Sequence, residues 1–415
     1  MARIHLAWEL GAAFGHAGRL KLLSVELARR GHEIALSLLD LVGTRAAMRE
    51  LPFPCFQSPV WLANRAGAPA PLSLAEILQS CGYRDPGELG ALVGGWRSTL
   101  AATRADLVVA DFAPTATLAA RTLGIPTASV GLGYSIPPAG MPLPSLRPWE
   151  RSDPGRLAAA EAAVVATANR VMHTHGAPPF TRAWQILHGE RALLCNWPEL
   201  DCYARGPLPP GERWFGPTFD PGMGEPPAWP PGVGPRVFAY LKAGHPGVAP
   251  LLGALAARGC RTLCYYSDGG AGRSLPFEHP SIAYSGGPVK LSEALAECDL
   301  CACHAGGATV AQSLLAGVPM LLLPQQNEQG LNAIGVARTG AAIAVLPQRT
   351  PFDFRAALAR LLDDGAPRAA ARAFAEAHRD FSQERQVREL CDAIEAAAHM
   401  RPGADADGGR TSDAG

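Results

Sequence analysis

An excess of charge of either sign, lysine, paired cysteines and long apolar runs are what this sequence is short of. The formal net charge is zero and the charges are mixed along the chain. A basic surface for nucleic acid or a polybasic membrane patch is therefore not expected, and nothing supports peripheral membrane contact. Lys21, Lys242 and Lys290 are the only lysines beside abundant Arg, Ala, Gly and Pro, a bias that fits a GC-rich bacterial genome. The opening MARIHLAWELG has one early arginine and reaches a glutamate and a glycine before any long apolar run. That is unlike a secretion signal or a membrane span, so a cytoplasmic protein working on small molecules is expected.

Ten cysteines show no paired framework spacing and should be reduced and mostly buried. The cluster CDLCACH, with Cys298, Cys301, Cys303 and His304, imitates a metal site. Yet Cys301 and Cys303 lie two apart in an apolar run that reads as a strand, and no second ligand pair follows, so core thiols are the better reading. No metal is expected. Asp405-Ala-Asp407 mimics a metal-binding DxD, but it stands in a polar, Gly-rich stretch expected to be a solvated tail.

What is present is an alternation. A length of 415 residues suggests two domains. IHLAW reads as a buried strand, then a glycine-rich loop, then Leu20, Leu23 and Leu27 at helical spacing up to Gly31, then the strand HEIALSLLD. Residues 106–131 repeat the theme with DLVVAD, TATLAARTL and TASVGL, whereas residues 52–100 and 132–150 read only as loops or short helices. Residues 206–235 are too dense in Pro and Gly for helix or regular strand, and mark a boundary. The alternation then restarts with RVFAYL, a helix to Arg258, RTLCYYS, a helix over 291–297 and DLCACH. Such alternation implies α/β architecture with two doubly wound, Rossmann-like domains. The expected division is 1–205, a linker over 206–235, 236–380, an amphipathic helix within 381–400 carrying Val387, Leu390, Cys391 and Ile394 on one stripe, and a disordered tail over 401–415.

The most informative stretch is HAGGATVAQSLLAGVPMLLLPQQNEQGLNA. His304 ends a strand and Gly306, Gly307 and Thr309 lead into a helix, so backbone N–H groups converge on the turn and an anion, most simply a diphosphate, is expected there. His304 can offer a ring N–H to a phosphate oxygen, although an ordinary tight strand-to-helix turn would use the same residues. Gln312, Glu328, Gln329 and Asn332 follow near the ends of neighbouring strands, and amide plus carboxylate suits vicinal hydroxyls. Phosphate plus sugar means a nucleotide sugar.

These residues resemble the donor signature of GT-B glycosyltransferases of the macrolide and UDP-glycosyltransferase type, whose pattern runs H-G-G-x-G-T-x-x-E, G-V-P, P, D-Q and N-A. His304, Gly306, Thr309, Gly317-Val318-Pro319, Pro324, Gln329 and Asn332-Ala333 fall at that spacing, and the resemblance spans nearly the chain. It implies two Rossmann-like domains facing across a cleft, acceptor on the first and nucleoside-diphosphate sugar on the second, with no metal or other cofactor. It places the diphosphate at His304, Gly306, Gly307 and Thr309, the ribose at Gln312, and the transferred sugar at Glu328 and Gln329. Three departures stand out: Gln312 where the family has Glu, Glu328 where it has Asp, and Pro288-Val289-Lys290-Leu291 where an aromatic stacks on the base. Pro288 and Val289 are left as the base contacts.

The resemblance also implies a general base in His16, on the first loop. Imidazole chemistry suits removal of a hydroxyl proton near neutral pH, and Asp111, ending DLVVAD, would orient it if the two strands are neighbours. The competing readings are a loop-packing histidine and a helix cap. An inverting transfer to a hydroxyl of a small-molecule or lipid acceptor is expected. A non-catalytic nucleotide-sugar-binding partner, or a sugar-nucleotide epimerase or hydrolase, is the alternative. Acceptor, sugar, base and oligomeric state have no signature.

Overall fold

A computed structural model describes residues 1–11, 14–62, 70–140, 142–209, 212–220, 222, 224–267, 274–346 and 352–400. The expected tail at 401–415, with Asp405 and Asp407, lies outside the described residues, as do 12 and 13 of the first loop and 210, 211, 221 and 223 of the Pro/Gly stretch. Two compact units form. The first comprises Met1–Trp197, Tyr203–Thr218 and the chain from Ser382, and the second Pro198–Cys202 and Phe219–Phe381. Among the described residues of 206–235 there is neither helix nor regular strand, only isolated bridges from Trp214 to Leu194 and from Glu225 to Val289.

The first unit is a parallel sheet of β1 (Arg3–Trp8), β2 (Glu33–Leu38), β3 (Cys55–Gln57), β4 (Leu107–Asp111), β5 (Thr127–Gly131) and β6 (Arg191–Leu194), in the order β3-β2-β1-β4-β5-β6. β1, β2, β4 and β5 are near-continuous apolar runs because helices cover both faces. Helix α1 (Phe14–Arg29) follows β1 and ends at Gly31, whose φ of +90° lets the chain turn back into β2. Helix α2 (Pro114–Thr122) follows β4.

The stretch 52–100, which the pattern left open, contains a helix over Pro86–Ala102 despite four glycines in it. Leu89, Val93, Trp96 and Leu100 recur at heptad spacing and are all fully buried, and Asp85 caps the start ahead of Pro86. Burial of that stripe outweighs the weak propensity.

The second unit repeats the design with β7 (Arg236–Lys242), β8 (Arg261–Ser267), β9 (Ile282–Tyr284), β10 (Leu300–Cys303), β11 (Met320–Leu322) and β12 (Ala342–Ala344), ordered β12-β11-β10-β7-β8-β9. Counted within the unit this is the same strand order, so β10 corresponds to β4 and β7 to β1. Helix α3 (Gly307–Leu315) follows β10 and α4 (Asn327–Arg338) follows β11. Cys301 and Cys303 are buried strand residues, and Cys298 is buried just before them.

The last helix, α5 (Gln383–Ala397), belongs to the first unit. Its stripe of Val387, Leu390, Cys391 and Ile394 joins Leu20, Leu23 and Leu27 of α1 in one apolar core. Arg30 adds ion pairs to Asp392 and Glu395.

Candidate active site

In the first unit, β1 and β4 are hydrogen-bonded neighbours with Trp8 opposite Asp111, which is the adjacency the His16 assignment requires. Asp111 is followed by Phe112 in the left-handed region (φ +48°), an unfavourable conformation for a bulky residue that turns the chain into α2 and is held by a bond from Leu10 N–H to Phe112 O. His16, in the first turn of α1, places Nδ1 2.8 Å from Asp111 Oδ1. Burial pushes the Asp111 carboxyl up, but Arg19 and His16 outweigh burial and hold it below its ordinary value. It is therefore ionised and only accepts, so Nδ1 carries a proton, and in the neutral ring the lone pair is on Nε2.

Trp8 stacks on the His16 ring, with centroids 5.2 Å apart and planes 13° apart, and is itself fixed by a bond from its Nε1–H to Leu10 O. Gly11 lies beside the reactive nitrogen: a Cβ there would stand 2.7 Å from His16 Nε2, and its φ is +91°. Only glycine combines that backbone with an open approach to Nε2.

Two further residues complete this end of the sheet. Arg19, one turn along α1, donates from Nη1 to Asp111 Oδ2 at 2.6 Å. Glu9 caps α2 from outside its own chain segment, accepting from Thr115 N–H at 2.8 Å, from the Thr115 hydroxyl and from Ala116 N–H. Burial raises the Glu9 carboxyl to about 7 against those bonds.

In the second unit the HAGGAT turn forms as expected, but His304 is used differently. Its Nδ1–H donates to Leu323 O at 2.5 Å, and its Nε2 accepts from Lys242 N–H at 2.7 Å. Burial lowers it to about 4, so the ring is neutral. Both nitrogens are committed to backbone, at the last residue of β7 and just beyond β11, and no ring N–H is left for a phosphate oxygen. This corrects the expectation of direct donation: His304 fixes the turn.

The anion-binding features of the turn belong to its backbone. Ala305 is left-handed (φ +60°), Gly306 caps α3 with no side-chain bond to the first turn, and a Cβ on Gly306 would meet nothing within 4 Å. The first N–H groups of α3, in the turn that holds Thr309, have no side-chain cap. Asn332 ties α4 back to the turn through Nδ2 to Ala305 O at 3.4 Å.

Gln312 donates to Ala308 O along its own helix. Gln329 accepts at Oε1 from Gln325 N–H at 2.8 Å, and Glu328 lies half-buried in the first turn of α4. The expected base contacts divide. Pro288 is exposed, whereas Val289 is buried, with Glu225 N–H donating to Pro288 O and Lys290 N–H donating to Glu225 O on either side of it. Pro288 remains available to a base, and Val289 is a packing residue.

Residues 288–385 match the glycosyltransferase family 28 C-terminal domain. The fold is that of the kitacinnamycin glycotransferase, with a TM-score of 0.70 at 19% identity over 95% of this chain and 99% of that one. The fold is GT-B, and residues 288–385 carry the likeness to a glycosyltransferase C-terminal domain. A second glycosyltransferase structure, the spinosyn rhamnosyltransferase SpnG complexed with thymidine diphosphate, aligns with a TM-score of 0.64 at 18% identity over 94% of this chain and 99% of its own. Among curated proteins, a PGL/p-HBAD biosynthesis glycosyltransferase of Mycobacterium tuberculosis is 27% identical over 325 residues, 73% of this chain and 74% of its own length.

At this end of the first sheet, sequence reasoning missed Trp8, Gly11, Arg19 and Glu9. For Arg19 a signal was present, since i+3 from His16 shares its helix face. For Trp8 and Glu9 the signal was position, at the C-terminal end of a central strand where sites in parallel sheets collect. No helix among the described residues is long and apolar enough to cross a membrane.

Proposed function

We propose that the chain is a glycosyltransferase that inverts the anomeric centre of a nucleoside-diphosphate sugar as it transfers the sugar to a hydroxyl of a small-molecule or lipid acceptor. The observation that carries the reading is the His16–Asp111 pair at 2.8 Å, with Nε2 on the side of Gly11, where a Cβ would stand 2.7 Å from it. Nε2 removes the acceptor proton, Asp111 stabilises the imidazolium that forms, and the oxygen displaces the diphosphate in line.

The departing diphosphate is met by the first N–H groups of α3, with Gly306, Gly307 and Thr309 in contact and His304 holding the turn in shape. Gln312 takes the ribose, Glu328 and Gln329 the sugar, and Pro288 borders the base. No metal enters the reaction in this reading, because the helix terminus meets the leaving-group charge. Thymidine diphosphate is the first nucleotide to try, since a relative of the same fold carries it. Small-molecule and lipid hydroxyls both belong in the acceptor panel, and the mycobacterial relative is named for PGL/p-HBAD biosynthesis.

The test is calorimetric titration of the purified protein with dTDP, UDP and GDP, with and without EDTA. It is followed by turnover of the matching nucleotide sugar with an acceptor panel and analysis of anomeric configuration. EDTA-insensitive binding of one nucleotide and an inverted product are expected. A retained configuration would sink the mechanism. Binding without transfer to any acceptor would point to a non-catalytic partner, and donor consumption without acceptor to a hydrolase or epimerase.

A further inference from the structure

Asp111 is wholly buried and both of its oxygens are used, Oδ1 by His16 and Oδ2 by the Arg19 guanidinium, whose side chain is only 5% exposed. A buried carboxylate and a neutral imidazole would leave a net negative charge out of water, and protonating the imidazole would cancel it. With Arg19 in place, the resting group of guanidinium, carboxylate and imidazole is already neutral. Protonation then adds a net positive charge.

We infer that Arg19 is a positioning residue for the proposed general base: it holds Asp111 by Oδ2 so that Oδ1 serves His16 alone, and its charge keeps the dyad ready to accept a proton in mildly acidic conditions. This rests on His16 being the base. Arg19 touches no reacting atom, so its influence passes through Asp111.

The other groups around the pair do not supply this charge. Cys195, which follows β6, has its thiol pushed up by burial and is neutral. Glu9, which follows Trp8 at the end of β1, gives its carboxylate to Thr115 and Ala116 at the start of α2. Ser135, beyond β5, donates to Leu132 O, and Gln386 of α5 donates to Gly216 O and the Thr218 hydroxyl; both are uncharged. Arg19 is the cation bonded to Asp111, in the same helix as the histidine it acts on.

The test is the pH profile of kcat/KM for Arg19→Met, Arg19→Gln and Arg19→Lys. In the two neutral variants the acidic limb should move to higher pH by about one unit or more, so turnover lost at pH 6 returns at pH 8. Arg19→Lys should keep its limb near that of the parent. An unmoved limb with a lowered melting temperature would reduce Arg19 to a packing residue and overturn the proposal, as would a limb displaced to lower pH. If a neutral variant does not fold, Arg19→Lys decides: the acidic limb and the NMR signal of the His16 Nδ1–H bonded to Asp111 should both persist there, and loss of either in a folded protein refutes the proposal. His16→Ala is run beside them, and full activity there would remove the base assignment itself rather than the role of Arg19 alone.

Discussion

The turn after β4 and the turn after β10 occupy the same place in two sheets of one strand order, and each bends through a left-handed residue that is not glycine, Phe112 and Ala305. Each has an imidazole beside it. His16 has one nitrogen on an ionised carboxylate and the other beside a glycine. His304 has both nitrogens on backbone and is held neutral by burial. A histidine's partners, and not its place in a conspicuous motif, decide whether it can move a proton. The HAGGAT motif holds the inert ring, and the plainer GHAGRL holds the usable one.

The comparison is broken most severely by His16→Ala. Turnover should fall by about 10²- to 10⁴-fold while nucleotide binding and melting temperature stay close to the parent, because the Asp111–Arg19 pair survives. Steady-state kinetics beside calorimetry checks this, and unchanged turnover would refute the base.

Gly11→Ala should come next, with a drop in kcat/KM of about tenfold or more, since the new methyl crowds Nε2 and the backbone sits at a φ costly by roughly 1–2 kcal/mol for an L-residue. Donor affinity should not move, and a parallel loss of it would argue for general distortion instead. His304→Ala should show the opposite signature. It leaves Lys242 N–H and Leu323 C=O unmatched, so the melting temperature should drop, with a loss of about 2–4 kcal/mol, and donor binding should weaken with it. A stable variant with reduced nucleotide affinity would restore His304 as a direct ligand.

Acid stability separates the two rings further. His304, His5 and His188 are each lowered by burial to about 4. Between that value and the ordinary 6.5 the unfolded chain binds more protons than the folded one. Their contribution to stability is therefore complete above pH 6.5 and is eroded as pH falls towards 4, by roughly 3 kcal/mol for each ring. Denaturation midpoints measured from pH 7 to 4 should decline, and less steeply in His304→Ala. The smallest effect expected is that of Gln312→Glu. It gives up a bond to Ala308 O and offers a charged acceptor to ribose hydroxyls, so calorimetry should register a change in nucleotide affinity of less than about tenfold.

The inner strands of both sheets were legible because parallel strands covered on two faces stand out as apolar runs between helical periods, whereas the short edge strands β3, β6, β9 and β12 were not. The helix over Pro86–Ala102 was not, since its glycines hide a stripe that only burial makes decisive. The encounter of His16 with Asp111 was legible as a condition, that β1 and β4 be neighbours. The commitments of His304 were not, because its partners, Lys242 N–H and Leu323 C=O, are backbone groups of other strands and have no residue type to betray them. The packing of α5 was visible as a stripe but not as an address, since an amphipathic face does not say which core it will join.

That address bears on how the chain is made. Residues of α5 complete the core around α1, yet some 350 residues are synthesised between the two. The second unit, nearly continuous in sequence, can close on itself as it leaves the ribosome. The first must hold its α1 surface uncovered until residues 383–397 have been translated, so a stop or frameshift ahead of them would damage the beginning of the protein rather than its end.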